Sequence, residues 1–128
     1  MAAANPNIVP GTGKDPDQPP FSGFHAHIYF DAESAASAGA LHLLIGERLA
    51  ANLRYHGKLI QRPIGPHPVP MFELDFLPEN FAKVVPFLMR NHGDHSVLIH
   101  PESGNDLADH TVHALWLGKK LELDLRKL

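Results

Sequence analysis

The segment FHAHIYF, residues 24–30, alternates strictly between apolar and polar side chains. Successive side chains of an extended chain point to opposite faces, so this period predicts a β-strand with one apolar and one polar face. The polar face carries His25, His27 and Tyr29. Such a strand belongs in a sheet whose apolar face is covered by helices, while the opposite face is available for a functional site.

Hydrophobic periods and turn residues predict the elements that follow this strand. They are a helix with Asp31 as its N-cap that runs to about residue 55, a strand at 58–64, a turn at 65–68, a strand at 69–76, a helix at 78–92 kinked at Pro86, and a strand at 96–101. The tail predicts a helical turn at 106–113 and an extended segment at 121–125.

The order strand-helix-strand-strand-helix-strand is typical of the α+β ferredoxin-like fold, a βαββαβ antiparallel sheet with two helices on one face. In this fold the first strand lies between the third and the fourth and runs antiparallel to both. The polar faces of these three strands therefore meet on the open side of the sheet. The residues predicted to collect there are His25, His27, Tyr29, Glu73, Asp75 and His100.

A single layer of helices leaves the other face of the sheet uncovered, although this face also carries the apolar residues Met71 and Leu98. Such a face usually packs against a second layer. We therefore predict a homodimer. Its two sheets face each other in a barrel-like association, or its C-terminal extended segment crosses to the partner.

The composition limits the partners and the chemistry open to the chain. Its 128 residues, 44% of them hydrophobic, suit one domain, predicted at 21–128 after an irregular or disordered arm at 1–20 that holds five prolines. A net charge of −3 and the lack of a Lys/Arg block argue against nucleic acid as a partner. No apolar run approaches the ~20 residues of a membrane span and no signal-peptide pattern opens the chain, so we expect a cytoplasmic protein.

The ten histidines of the chain include a candidate metal centre. His25 and His27, two apart on one strand, project to the same side, and the antiparallel fourth strand brings His100 beside them. Glu73 or Asp75 on the other neighbouring strand is a candidate carboxylate ligand. Because the chain has no cysteine, the ligands must be nitrogen and oxygen, a set that suits non-haem Fe(II) and that zinc also accepts.

Each of these features has a plainer interpretation. A pair of histidines on a strand is also typical of a polar, solvated sheet face, and Tyr29 is either a hydrogen-bond donor in the site or an aromatic spacer. His113 is as consistent with a structural role as with a place in the site. We assign no functional role to four further histidines, which are His42, His56, His92 and His95.

Four segments occur in this order, namely HAHIYF, GPHPVPMFELDF, VLIHPESG and DLADHTVHALWLG, within roughly residues 22–125. Together they resemble the small DOPA 4,5-dioxygenase family of extradiol ring-cleaving enzymes. The resemblance implies a dimeric ferredoxin-like fold and a mononuclear Fe(II) centre at which O2 cleaves the ring of a catechol such as DOPA. The partners so implied are a small aromatic diol and O2.

The resemblance also selects individual histidines, because five of them lie within the family motifs. These are His25, His27, His67, His100 and His110. The first two and His100 form the predicted metal cluster, together with Glu73. His67, on a turn between prolines, and His110, on a helical turn, lie away from that cluster. We predict that one of them is the acid-base group and that both bind substrate, since an imidazole titrates near neutral pH.

Two other functions remain open from the sequence. A ferredoxin-like module that binds a metal or a small molecule without oxygenase activity would use the same histidine cluster. A metal-dependent enzyme with a different product would also fit this scaffold.

Overall fold

The computed structural model describes residues 21–128, and the predicted arm at 1–20 lies outside the described residues. Five strands and three helices alternate along this part of the chain. In chain order they are β1 (Phe24–Tyr29), α1 (Ala35–Leu49), β2 (Tyr55–His56), β3 (Met71–Phe76), α2 (Phe81–Asn91), β4 (Val97–Pro101), α3 (Asp106–Asp109) and β5 (Leu115–Leu117). Short 3₁₀ turns follow α1, precede α2 and lie near the end of the chain.

The strands form one antiparallel sheet in the order β2-β3-β1-β4-β5. Strand β1 lies between β3 and β4 and is antiparallel to both, which confirms the predicted α+β ferredoxin-like arrangement. The register places His25 opposite Asp75 on one side and His100 on the other. His27 lies opposite Glu73 and Leu98. The polar residues of three strands therefore share one region of one face.

The apolar face of β1 is the floor of the main core, because Ala26 and Ile28 are fully buried there. Helix α1 contributes residues at helical spacing, including Ile45 and Leu49, and α2 contributes Leu88. Both helices thus cover the same face of the sheet, as predicted. This leaves the face with His25, His27 and Tyr29 on the opposite side.

The first helix is shorter than predicted at both ends. Asp31 caps a turn that precedes the helix, exchanging hydrogen bonds of 2.9 Å with Ser34, and the N-cap position itself is Ser34. The helix ends at Leu49 rather than near residue 55, because Tyr55 and His56 pair with β3 as the short edge strand β2. At Tyr55 and His56, pairing with the sheet therefore outweighs the apolar spacing that predicted a longer helix.

The strand predicted at 58–64 is wrong. This segment makes only isolated bridges, Ile60 with Met71 and Ile64 with His67. Pro63 has no N–H for a ladder, and Gly65 has a positive φ of 55° that bends the chain. The segment instead folds back toward the face opposite the helices, where Ile60 packs.

The extended segment predicted at 121–125 forms no strand, whereas Leu115–Leu117 pairs with β4 as β5. Leu121 and Leu123 pack beside Trp116 against a second apolar cluster. The members of that cluster are Tyr29, Met71 and Leu98. The chain therefore supplies part of the second layer itself. The homodimer stays a prediction.

None of the helices described between residues 21 and 128 has both the length and the apolar character needed to cross a membrane.

The core assignment of α1 predicts different costs for two substitutions on that helix. Ile45 is fully buried and Leu43 is 64% exposed. Replacing Ile45 by Ala should lower the free energy of unfolding by about 2–5 kcal/mol, because it leaves a cavity. Leu43→Ala should change it by less than about 0.5 kcal/mol. Urea unfolding measures both, and equal losses would contradict the assignment.

Candidate metal centre

Strand pairing brings the three predicted imidazole ligands together. His25, His27 and His100 each offer a ring nitrogen, and the three atoms all lie within 4.8 Å of one another. His27 and His100 are buried, with 3% and 5% of their surface exposed, and His25 is partly exposed. Three nitrogen donors at one place, two of them shielded from water, form a potential site for a divalent metal.

The orientation of His100 is set by its own neighbour in the chain. Its Nδ1 lies 2.9 Å from the carbonyl oxygen of Pro101, which can only accept, so Nδ1 carries the hydrogen. The lone pair is therefore on Nε2, and this atom faces His27 Nε2 at 3.1 Å. Two nitrogen ligands in the shell of one metal lie about 3 Å apart, given metal–nitrogen distances of ~2.1 Å. The spacing suits a shared cation.

An unsatisfied atom of His27 supports this interpretation. In the contact with His100, His27 Nε2 must supply the hydrogen, which leaves Nδ1 with only a lone pair. Within the described residues, this buried Nδ1 has no hydrogen-bond partner. A cation between the two rings would replace the hydrogen on Nε2 and allow Nδ1 to carry one, facing Glu73 Oε1 at 3.8 Å. A carboxylate behind a ligating histidine is a common arrangement in metal sites.

The carboxylates lie on the β3 side of the cluster. Glu73 Oε1 is 3.8 Å from His25 Nδ1, and Asp75 Oδ2 is 3.6 Å from His25 Nε2. The structure thus places Glu73 in a second possible metal group, with His25 and Asp75. Burial, a hydrogen bond with Asp75, and the charges of Asp75 and Glu102 raise the pKa of Glu73 to about 8.

Sequence reasoning missed Glu102, the residue after the HP pair. Its carboxylate is hydrogen-bonded to Nε2 of His25 and also accepts a hydrogen bond of 2.9 Å from Arg54. The Glu102 N–H bonds to the Gly23 carbonyl at 2.9 Å, which holds it beside the start of β1. Glu102 lies beyond the end of β4, so the alternation of the strand gave no signal for it. Its position next to His100–Pro101 was the available clue.

His67 and His110 flank the cluster on its cavity side. The His67 ring lies 4.1 Å from the His27 ring, and the His110 ring lies 4.2 Å from the His100 ring, measured between centroids. Tyr29 is hydrogen-bonded to His67, with 2.7 Å between its hydroxyl oxygen and Nδ1. Tyr29 is thus a hydrogen-bonding residue of the site rather than a spacer. All five histidines of the family motifs lie in one region, so the prediction that His67 and His110 lie away from the metal cluster is wrong.

Burial and the repulsion of neighbouring imidazoles favour the neutral form of His27, His67 and His100. Burial, with the charges of His67, His100, His25 and His110, lowers the pKa of His27 well below its usual range. Burial and the charges of His110 and His100 lower the pKa of His67 to about 4. The pKa of His100 is also lowered to about 4, mainly by burial. Neutral imidazole is the form that ligates metals, so these rings need not lose a proton at neutral pH to bind one.

An open cavity of about 660 Å³ adjoins the cluster. Its walls include the three clustered imidazoles, His67, His110 and Lys127. The buried Asp109 also lines it, held by hydrogen bonds from Ser103 and His113. The volume is sufficient for a small aromatic ligand beside the metal position.

The remaining histidines make their contacts outside the cluster, and their lack of a functional role stays a prediction. The His42 ring lies 4.0 Å from that of His56, against Phe72 of the core. His95 bonds to the Tyr29 carbonyl and to Ser37, and His92 bonds to the His95 carbonyl. His113 lies outside the cluster as a partner of Asp109.

Fold and site together define a ferredoxin-like α+β protein with a histidine-rich candidate metal centre. A profile of the Dopa 4,5-dioxygenase family matches residues 24–127. The chain therefore belongs to the Dopa 4,5-dioxygenase family.

Individual proteins show the same relationship. The chain is 44% identical to a candidate dioxygenase from Nostoc punctiforme whose crystal structure superposes with a TM-score of 0.74, over 83% of this chain and 90% of that one. It is 34% identical over 114 residues to the DOPA 4,5-dioxygenase of Amanita muscaria, a match covering 82% of this chain and 49% of that protein. It is 39% identical over 113 residues to an uncharacterized 21.2 kDa protein of Botryotinia fuckeliana, a match covering 80% of this chain and 61% of that protein. The chain thus spans about half to three fifths of these two fungal relatives.

The raised pKa of Glu73 predicts that metal affinity increases with pH. A bound divalent cation favours the ionised carboxylate, so Glu73, with a pKa of about 8, should release a proton when the metal binds below that pH. Calorimetric titration with Zn(II) in buffers of different ionisation enthalpy should show release of about one proton at pH 7 and tighter binding at pH 8. Glu73→Gln should lose most of this release, and an unchanged release would contradict the assignment.

Proposed function

We propose that the chain is an extradiol dioxygenase that cleaves the ring of a catechol such as DOPA, by 4,5-cleavage with O2, at a mononuclear non-haem Fe(II) site. The observation that carries the proposal is the convergence of His25, His27 and His100 beside an open cavity. Membership of the Dopa 4,5-dioxygenase family supports the reaction type.

The proposed ligands are His25, His27 and His100. The unsatisfied Nδ1 of His27 and the 3.1 Å separation of the two Nε2 atoms both support a cation at this place. Ferrous iron bound there would supply a Lewis-acidic and redox-active centre with open positions for the catechol oxygens and O2. Zinc or another divalent metal fits the same donors and is a possible occupant of purified protein.

The carboxylates of the site hold the imidazoles in place. Glu73 faces Nδ1 of His27 and of His25, each at 3.8 Å, and Glu102 contacts Nε2 of His25. We expect Glu73 to act beside the ligands or as a fourth ligand. The negative charge of these carboxylates offsets the positive charge of a divalent cation in a partly buried site.

His67 and His110 meet the substrate from the cavity side. Each lies against one proposed ligand, so a catechol bound at the metal position would lie within reach of both rings. A catechol must lose at least one proton to become a strong electron donor, and an imidazole beside it can accept that proton.

The decisive experiment is anaerobic reconstitution with Fe(II), followed by a panel of catechols that includes DOPA, and then by air. We expect a yellow ring-fission product whose mass exceeds that of the substrate by two oxygen atoms. Protein loaded with Zn(II) is the matched control and should give no product, because zinc has no redox chemistry. Tight catechol binding without ring opening would favour a binding module, and a product with a different mass change would indicate another metal-dependent reaction.

The ligand assignment predicts that His27→Ala and His100→Ala remove metal binding. Removal of a residue that only hydrogen-bonds to a metal ligand typically weakens metal affinity by about 10–100-fold. Loss of one of the three imidazole ligands should therefore weaken affinity for Fe(II) or Zn(II) by more than about 100-fold. His92→Gln, outside the cavity, should retain full stoichiometry. Equilibrium dialysis with metal analysis measures this, and full metal content in His100→Ala would overturn the assignment.

A further inference from the structure

His67 and His110, the two histidines beside the cluster, differ in which ring nitrogen carries the hydrogen. A neutral imidazole has one N–H and one lone pair, so the partner of one nitrogen determines the state of the other. His67 and His110 each use Nδ1 for a hydrogen bond inside the protein. The nature of the partner therefore determines what Nε2 presents to a ligand.

For His110 the partner can only accept. Its Nδ1 lies 2.7 Å from the backbone carbonyl oxygen of Asp106, so Nδ1 carries the hydrogen and Nε2 keeps a lone pair. His110 lines the 660 Å³ cavity beside the metal cluster and also a neighbouring cavity of about 600 Å³. No hydrogen bond occupies Nε2 among the described residues. This atom is a proton acceptor.

For His67 the partner must donate. The Tyr29 side chain is buried, with 3% of its surface exposed, and within residues 21–128 its hydroxyl has no hydrogen-bond partner besides His67 Nδ1 at 2.7 Å. If Nδ1 carried a hydrogen, the phenol hydrogen would be buried without an acceptor, which costs about 1–3 kcal/mol. The satisfied arrangement has the Tyr29 hydroxyl donating to Nδ1, with the His67 hydrogen on Nε2. This atom is a donor.

The two rings lie at similar distances from proposed ligands, while their hydrogens are on opposite nitrogens. His67 and His110 lie against different proposed ligands, and 6.4 Å separates their ring centroids. Both are therefore beside the position where a catechol would bind. Because both rings adjoin a proposed ligand, we assign their roles from the difference in tautomer.

We propose that His110 is the base of the reaction, that His67 is a neutral hydrogen-bond donor, and that Tyr29 is a positioning residue that selects the tautomer of His67. The inference rests on the proposed function. The O–H bond of one catechol hydroxyl breaks, its electron pair stays on the catechol oxygen, and the proton forms a bond to Nε2 of His110. The resulting imidazolium keeps its Nδ1–H on the Asp106 carbonyl. His67 transfers no proton and donates its Nε2–H to an oxygen that carries negative charge.

Nitrogen-15 NMR tests the tautomers without any turnover. In the full chain, without metal and after addition of diamagnetic Zn(II), long-range ¹H–¹⁵N correlations should show His67 protonated at Nε2 and His110 protonated at Nδ1. Tyr29→Phe removes the donor, so the His67 signals should shift toward a mixture of tautomers while those of His110 stay unchanged. His67 protonated at Nδ1 in the unmodified chain would overturn the proposal whatever the activity.

Glutamine variants test the roles. The Gln amide can donate a hydrogen bond from near the position of Nε2 but cannot take up a proton, so it replaces a donor better than a base. With Fe(II), His110→Gln should lower kcat by about 10²–10⁴-fold, the usual contribution of a general base. His67→Gln should lower kcat about 10-fold, as expected for a partly replaced hydrogen bond. His92→Gln controls for the substitution itself, and the reverse order of the two losses would overturn the assignment.

The probe 4-nitrocatechol, whose absorbance reports its ionisation, separates failure of this inference from failure of the proposed function. Bound to Zn(II)-loaded protein and titrated upward from acid pH, the probe should ionise at a lower pH in the unmodified chain and in His67→Gln than in His110→Gln. The same ionisation pH in all three proteins would remove His110 as the base and leave the dioxygenase proposal intact. Lack of binding by the unmodified chain would overturn both the proposed function and the base, whereas the NMR result on the tautomers would still hold.

Discussion

The antiparallel pairing of β1 with both of its neighbours is the constraint on which the site depends. It sets His25 opposite His100 and His27 opposite Glu73. The register is held by the other face of the same strand, where Ala26 and Ile28 are fully buried in the core. A slip of one residue would exchange the two faces, exposing the apolar residues and burying the imidazoles among them. Core packing thus fixes the position of the candidate ligands.

Burial of several imidazoles in one place requires that each ring be hydrogen-bonded or ligated. Pro101, Asp106 and Tyr29 each satisfy the outer nitrogen of a different histidine. Among the described imidazoles of this site, His27 has a buried Nδ1 without such a partner, and a cation on the inner side of that ring removes the deficit. The same burial lowers the pKa of His27 and raises that of Glu73, so the electrostatics of the site favour a divalent ion.

The sequence predicted the central strands and the two long helices, because each shows a clear period in its apolar residues. It failed at the short or irregular elements. Strand β2 has two residues and β5 has three, too few for a period to be visible. Glu102 was missed for a related reason, since it lies just after β4, where alternation no longer predicts direction. Residues 58–64 have the apolar spacing of a strand, but Pro63 and the positive φ of Gly65 leave no continuous ladder there.

The sequence by itself determined that one strand carries histidines on one face and core residues on the other, that the fold is of the βαββαβ type, and that nitrogen and oxygen must supply any metal ligands. These conclusions follow from local periodicity and composition. Only the tertiary structure decided that the chain covers much of its own second face, that Glu102 contacts His25, and that His67 and His110 have opposite tautomers. Those features depend on distances between side chains far apart in the chain, which no local pattern encodes.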